Sequence, residues 1–420
     1  MDSDFIKYNC KDSLVTALSS LQLMDELNEN KLMEFYDTIV HPLSRIVINM
    51  NKKGIRIDES KITLAIKAEK ESIVEMERDL FAITGQVLEV NSSKNIGNYL
   101  YNEIGIKNKG SQSTDRDTLL KICEKVPEIS EVCHLILDIR NKKKLVSTFL
   151  EGMNIGENGK CYPSFRIGPV TGRLAARKPN FQNIPAGISR EVFVPHDGNV
   201  FIYADYSQIE LRIIAILSND TVSLDSFKKG DDIHSQNARD LFGVVEVSNS
   251  QRHFAKSFIY GLIYGGSMST ILSMASNNSS GLSLVNMEKC KERYYYLHPN
   301  LIKWRENIEL ELRSRRKLVN SFGRPRIFFG NVNESIRQAF NFPIQSNAAD
   351  MLNKKIIEID NLMPNSLVMQ VHDSIMLEVP KSMSLSCMSK VKKILESPVK
   401  ELSNYSFPVN SKIGCNWGEF

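Results

Sequence analysis

Asp205 closes the apolar run Val200 to Ala204, and Glu210 follows five residues later. A carboxylate at the end of a buried strand is well placed to hold a hard cation at a sheet edge, and a strand-to-helix turn can aim a second one into the same cleft. Asp373 sits beside His372 between two further apolar runs, Leu367 to Val371 and Ser374 to Val379, as a tight hairpin would present it. Taken singly, each has a plainer reading: Asp205 as a helix cap with Glu210 solvated, and Asp373 as an ordinary turn residue. Between them, Arg252, Lys256, Tyr260 and Tyr264 recur every four residues and so line one side of a helix. Two cations followed by two aromatics suit a nucleoside triphosphate, with cations on phosphates and an aromatic face on the base. The plainer reading is an amphipathic helix with snorkelling basic residues. Gly261, Gly265 and Gly266 tilt the balance towards function, because glycine weakens a helix.

Elements that would position these groups can be read from periodicity. Phe5 to Leu27 reads as one or two amphipathic helices and Ile62 to Thr84 as a long charged one. Asn91-Ser92-Ser93 caps another helix through Tyr101; residues 110–114 form a polar loop; helices follow from Arg116 and over Ile136 to Leu150. Glu157-Asn158-Gly159 is a turn between strands. Val200 to Ala204 is a strand, Gln208 to Leu217 a helix, and Thr221 to Arg316 mostly helical. Leu318 to Phe329 reads as a hairpin around Phe322-Gly323-Arg324-Pro325. The expected plan is a mixed sheet holding two separated aspartates, with a helical insertion between them and a helical N-terminal region.

The chain has 420 residues, 42% hydrophobic and 24% charged, which allows two to four domains and a sizeable core. No apolar run is long enough to span a membrane, and the N-terminus resembles neither a secretory signal nor a transit peptide. The seven cysteines are scattered without zinc spacing, as expected in a reducing compartment. A net charge of +4 permits a nucleic-acid partner without indicating one.

DYSQIELR from Asp205, RHFAKSFIYGLIYGG from Arg252 and QVHDSIMLEV from Gln370, in this order, resemble the palm and fingers motifs of the family A DNA polymerases, the bacterial DNA polymerase I family. TGRLAARKPNFQNIP from Thr171, GDDIHSQNARDLFG from Gly230, IRQAFNFPIQSNAAD from Ile336 and the final NWGEF are similar to further segments of that family. The resemblance covers about residues 40–420. It implies an α+β right-hand polymerase fold. The palm, a mixed sheet with packed helices, would span residues 156–218 and 317–420, the helical fingers 219–316 and the helical thumb 51–155. Residues 1–50 would be a remnant of the C-terminal helices of an exonuclease domain.

What the resemblance implies about residues follows the motifs. Asp205 and Asp373 match the metal-binding aspartates for two Mg²⁺ ions, with the Tyr206 carbonyl as a third protein ligand. Arg252 and Lys256 match the triphosphate-binding cations, Lys256 also donating a proton to pyrophosphate. Gln208, Glu210, His234, Tyr260 and Tyr264 complete the nucleotide site. Tyr264 would stack at the templating position, and Glu210 would fill the space of a ribose 2′-hydroxyl. Arg173, Gln182, Asn183, Arg337, Asn341, Gln345 and His372 match DNA-facing positions, and Lys144 and Thr148 match thumb contacts. The implied activity is template-directed addition of dNTPs to a primer 3′-OH, with primer–template DNA and dNTPs as partners and a cytoplasmic location, the host's if the source is viral.

Two departures stand out. Tyr260 occupies a position where many bacterial relatives have Phe, which predicts ready use of dideoxynucleotides. The family's usual HDE reads HDS, with Ser374 in place of a carboxylate. YNCKD, Tyr8 to Asp12, resembles the last exonuclease motif, so the chain reads as the polymerase half of a split enzyme with a separate exonuclease subunit, or as a truncated chain, and is not expected to proofread alone. Three other functions fit the sequence less well. A non-catalytic primer–template binder would have lost an aspartate. A metal-dependent nuclease would leave the cationic-aromatic helix without a role. An RNA polymerase fits poorly with Glu210.

Overall fold

The computed structural model describes residues 3–107, 112–266, 271 and 284–420. Residues 110 and 111 of the expected polar loop, and 267–270 and 272–283 of the expected helical insertion, lie outside the described residues.

The first helix, α1 (Ser3–Glu29), is one continuous element, exposed over nearly its whole length. The next long helix, α2 (His41–Lys53), buries Leu43, Ile46, Val47 and Met50 in the main core. The stretch 1–50 therefore divides: α1 stands apart, whereas α2 belongs to the body of the molecule. Asp58 accepts a hydrogen bond from the Lys61 backbone and starts α3 (Glu59–Thr84). Ser92 caps the next helical segment, which continues through a π-helical turn to Glu103. With α4 (Arg116–Lys125) and α5 (Ser130–Lys144), α3 encloses a separate core around Ile73, Leu100, Leu119, Val132 and Ile136. Lys142 and Lys143 pair with Glu69 and Glu77 at 2.6 Å, tying α5 to α3.

A short hairpin, β1 (Ser164–Ile167) and β2 (Leu174–Arg177), precedes the main sheet. One of its two inner strands is β3 (Asn199–Tyr206), followed directly by α6 (Ile209–Ser218). The helical insertion then runs through α7 (Thr221–Lys229), α8 (Ile233–Phe242), α9 (Asn249–Ile263), α10 (Leu284–Leu297) and α11 (Pro299–Arg315). A second hairpin, β4 (Lys317–Val319) and β5 (Pro325–Ile327), leads into the long α12 (Val332–Leu362). The chain ends with β6 (Leu367–Val371), β7 (Ser374–Pro380), α13 (Ser384–Leu395) and β8 (Val409–Gly414).

The four-stranded sheet has the order β8–β3–β7–β6. It is antiparallel throughout, which corrects the expectation of a mixed sheet. Parallel neighbours need a crossover between adjacent strands. Here β6 and β7 are joined by a two-residue hairpin, and β3 receives both of its neighbours in the opposite direction. Among the described residues no helix is long and apolar enough to cross a membrane.

Candidate active site

β3 carries its apolar side chains into the core from Val200 to Ala204 and delivers Asp205, half-buried, at its last turn. Ser374, the first residue of β7, pairs directly with Asp205, and the Tyr206 N–H donates to the Asp373 carbonyl at 3.2 Å. His372 takes a φ of +52°, a left-handed conformation that a two-residue hairpin between twisted strands calls for, and this turn presents Asp373 beside Asp205. Burial raises both carboxyl pKa values. Asp373 is pushed up to about 6, first by burial and then by the charges of Glu210 and Asp205, against the pull of Arg173. Asp205 also rises through burial, opposed by His372. The side chain of Tyr206 is buried, with its hydroxyl donating to the Leu395 carbonyl at 2.8 Å, so only its backbone can face the cleft. The Ser374 hydroxyl donates to Val371 O at 2.7 Å inside the hairpin.

On α9 a capping box between Ser248 and Gln251 fixes the helix start, and Tyr264 forms its C-terminal end. Tyr260 and Tyr264 lie with ring centroids 6.2 Å apart and nearly parallel, and His234 of α8 sits 6.3 Å from Tyr260. Burial, then the charges of Glu210 and Asp373, pushes the Tyr260 hydroxyl up to about 12, keeping it a neutral donor. Burial pushes His234 down to about 4, and its Nδ1 has no hydrogen-bond partner. Lys256 is exposed. Arg252 forms a two-pronged pair with Asp232, at 2.6 and 3.0 Å, which also caps α8. That pair holds the Asp232 carboxyl well below the usual carboxylate range and ties α8 to α9.

Glu210, on the first turn of α6, connects these two regions. One oxygen accepts from Arg173 at 2.5 Å, and the other accepts from the Tyr264 hydroxyl. Gln208, which precedes α6, is half-buried with a φ of +54°. Arg173 also lines a cavity of about 300 Å³ with Thr171, Gln182, Gln345, Gln370 and His372. There Gln182 accepts from the His372 N–H at 3.0 Å and donates to Leu174 O at 3.2 Å. Arg337, Asn341 and Gln345 are four residues apart along α12 and share a face. Arg337 is exposed close to Gly265, and the Asn341 Oδ1 is buried without a partner. Asn183 is exposed beside Gln182. Lys144 and Thr148 are exposed one turn apart where α5 passes into a π-helical turn, outside the residues that line this cavity.

Two groups in the cleft carry no signal of their own in the sequence. Asp232 holds Arg252, and Gln370 donates to His372 O at 2.5 Å with its own Oε1 unpartnered. Both fall in stretches whose pattern drew attention, but neither has a spacing signal, because their partners are fixed only by tertiary packing.

The model of DNA polymerase family A matches residues 61–419. This chain belongs to DNA polymerase family A. It is 30% identical to the DNA polymerase I of Caldicellulosiruptor bescii over its whole length and 51% of that relative. The DNA polymerase I of Geobacillus stearothermophilus is 31% identical over 86% of this chain and 43% of the relative. The chain thus spans about half the length of these curated relatives. Among solved structures, the polymerase domain of Pol1 from M. smegmatis, in complex with DNA primer-template and dNTP, superposes with a TM-score of 0.85 at 25% identity. That match covers 94% of this chain and 72% of the other. The right-hand α+β polymerase fold follows from it.

The donor set suits the metal that the family implies. Among the described residues neither the Asp205 nor the Asp373 carboxylate is held by a hydrogen bond, and no group of three or more His, Cys, Asp or Glu side chains forms a closed cage. Two desolvated carboxylates with free lone pairs are the partial coordination that Mg²⁺ takes, since it keeps waters and substrate oxygens for its remaining positions.

Proposed function

We propose that this chain is a template-directed DNA polymerase that extends a primer 3′-OH with deoxynucleoside triphosphates. The observation that carries this reading is the convergence of Asp205 and Asp373 at one sheet end with the Arg252–Lys256–Tyr260–Tyr264 face of α9 opposite, Glu210 touching both sides.

In this reading Asp205, Asp373 and the Tyr206 carbonyl would hold two Mg²⁺ ions, which when bound would lower the pKa of the primer hydroxyl and neutralise triphosphate charge. Lys256, exposed and without an ion pair among the described residues, contacts the triphosphate and supplies a proton to leaving pyrophosphate. Arg252 joins it from its seat on Asp232, with His234 behind. Tyr260 donates to the nucleotide, Gln208 lies beside it, and Tyr264 leaves Glu210 to stack at the templating position. Glu210 then fills the space a 2′-hydroxyl would need. Arg173, Gln182, Asn183, Gln345 and His372 hold the primer end, Arg337 and Asn341 continue along the minor groove, and Lys144 and Thr148 contact the backbone. Minor-groove acceptors are similar for all correct pairs, so such contacts test pair shape without reading sequence. The division of labour is palm at 156–218 and 317–420, fingers at 219–316 and thumb at 51–155.

The reading includes a separate exonuclease subunit or, alternatively, a truncated chain; α1 exposes a row of apolar side chains, among them Leu14, Leu18 and Leu21. Failure of the two polypeptides to co-elute in gel filtration would remove that partner. The polymerase itself is tested by primer extension with Mg²⁺ and four dNTPs. Extension by the parent and none by Asp373→Ala is expected; extension that survives in Asp373→Ala would overturn the assignment.

A further inference from the structure

Arg324, in the connection between β4 and β5, lies outside the reacting groups, yet its side chain is mostly buried and ion-paired. Its guanidinium donates to both oxygens of Asp350 on α12, at 2.8 and 2.9 Å. Asp350 is completely buried and accepts a third bond from Asn320 Nδ2 at 2.8 Å. Asn320 Oδ1 in turn accepts from the Phe322 and Arg324 backbones at 3.0 and 2.8 Å, and Ser321 N–H donates to Asn347 of α12 at 3.0 Å. A buried ion pair is weak evidence for a stability role, because desolvation offsets most of the attraction; fixing a geometry is its better-attested use.

What this pair fixes is the segment that carries Arg173. Gly172 has a φ of +81°, and a Cβ built on it would lie 2.6 Å from the Arg324 guanidinium, so the cation lies flat against the glycine backbone. On its carbonyl, Gly172 accepts from Asn353 Nδ2 of α12 at 3.0 Å, and its N–H closes a turn onto Pro169 O at 2.9 Å. Arg324 packs against the residue in front of Arg173, and Asn353 bonds its carbonyl. Both are anchored on the helix that carries Asn341 and Gln345.

We propose that Arg324, seated on Asp350 and Asn320, is a positioning residue that sets the placement of Arg173 against the primer terminus. The inference rests on the polymerase reading of Arg173. The arrangement makes one rigid unit of three segments, so the minor-groove contacts from Arg173 and from Gln345 keep their spacing as the primer end is tested.

The test is steady-state extension of a matched primer by the full chain, with Arg324→Lys, Arg173→Ala and the double variant, folding being checked by thermal melting. Arg324→Lys keeps the charge and loses the flat, two-pronged geometry. A displaced contact at a reacting terminus lowers kcat by about tenfold to a hundredfold. The expected result is such a fall with the KM for dNTP little changed, the same split as in Arg173→Ala, and no further fall when the two changes are combined. Asn320→Ala, which loosens the seat of Arg324 without removing its charge, carries the same test if Arg324→Lys does not fold. Equal falls with and without Arg173, or no fall in a folded variant, overturn the proposal. A parent that does not extend removes the polymerase reading itself. A parent that extends equally well as Arg173→Ala removes the role of Arg173, and the positioning role with it.

Discussion

Ser374 faces Asp205 directly across the sheet, and its hydroxyl is committed to the Val371 carbonyl of its own hairpin. It therefore closes the turn that presents Asp373 and takes no part in holding a cation. Ser374→Ala is expected to lose about 1 kcal/mol of stability with that hydrogen bond and to leave primer extension at the parent level. If extension is detected only after Ser374→Glu restores a carboxylate, the two aspartates are insufficient and this assignment is wrong.

The carboxylate pair predicts metal-linked stability. Asp205 and Asp373 are raised by burial and held close without hydrogen-bond donors, so a divalent cation relieves a real electrostatic load. A cation bound at about a hundred times its Kd adds roughly 2.7 kcal/mol. Adding Mg²⁺ should raise the melting temperature of the parent and leave Asp205→Asn/Asp373→Asn unmoved. Equal shifts in both proteins would place the ion elsewhere.

His298, ahead of α11, provides a pH signature in the helical insertion. It is almost fully buried, stacked 4.1 Å from Tyr294, with Nδ1 2.8 Å from Asp220 and Nε2 3.6 Å from Asp240. Burial opposes its charge, but the two carboxylates prevail and raise it to about 9 from 6.5. A histidine raised by folding stabilises fully below its unfolded pKa, and that contribution is lost as pH climbs through the folded value. Denaturant unfolding should therefore show the parent losing roughly 3 kcal/mol between pH 6.5 and 9 from this group, with His298→Gln much flatter. Parallel curves for the two proteins would count against a charged His298.

Tyr260 bears on sugar selection. Its hydroxyl stays neutral, with a pKa of about 12, and faces the cleft that Glu210 and Asp373 share. A donor there can stand in for a missing 3′-hydroxyl. Tyr260→Phe is expected to reduce dideoxynucleotide use relative to deoxynucleotide use by about tenfold or more, the worth of one hydrogen bond to a charged group. Comparable use by both proteins in a chain-termination assay would sink the idea.

How far the sequence carried these conclusions depended on whether the signal was local. Asp205 could be placed because five apolar residues precede it in a strand, and Asp373 because two apolar runs leave only His372 and Asp373 between them. The four-residue step from Arg252 to Tyr264 was also local and fell on one helix and its cap. Strand direction was not readable: β7 is buried nearly throughout, so it lacks the alternation that distinguishes one neighbour from another. Nor was the partner of Arg252, twenty residues away on α8, or that of Arg324, on α12. Such pairs are set by how helices cross, which single-residue periodicity does not encode.

Glu210 offers the sharpest test of the whole cleft, because its carboxylate is joined both to Arg173 and to the α9 face. It accepts from Arg173 on one oxygen and Tyr264 on the other. Two effects must be separated, the bulk proposed to exclude a ribose 2′-hydroxyl and the charge that anchors its two donors. Glu210→Gln keeps the bulk and removes the charge; Glu210→Ala removes both. Pocket groups of this size discriminate by about tenfold to two-hundredfold in kcat/KM. The ratio of dNTP to rNTP incorporation should thus fall within that range in Glu210→Ala and stay near the parent value in Glu210→Gln. Both variants should release Tyr264, seen as a lower pKa for its phenol, since burial and the Glu210 charge together raise it in the parent. If Glu210→Ala keeps the parent's sugar preference while Tyr264 titrates lower, Glu210 is a latch for Tyr264 and the sugar is judged by another group.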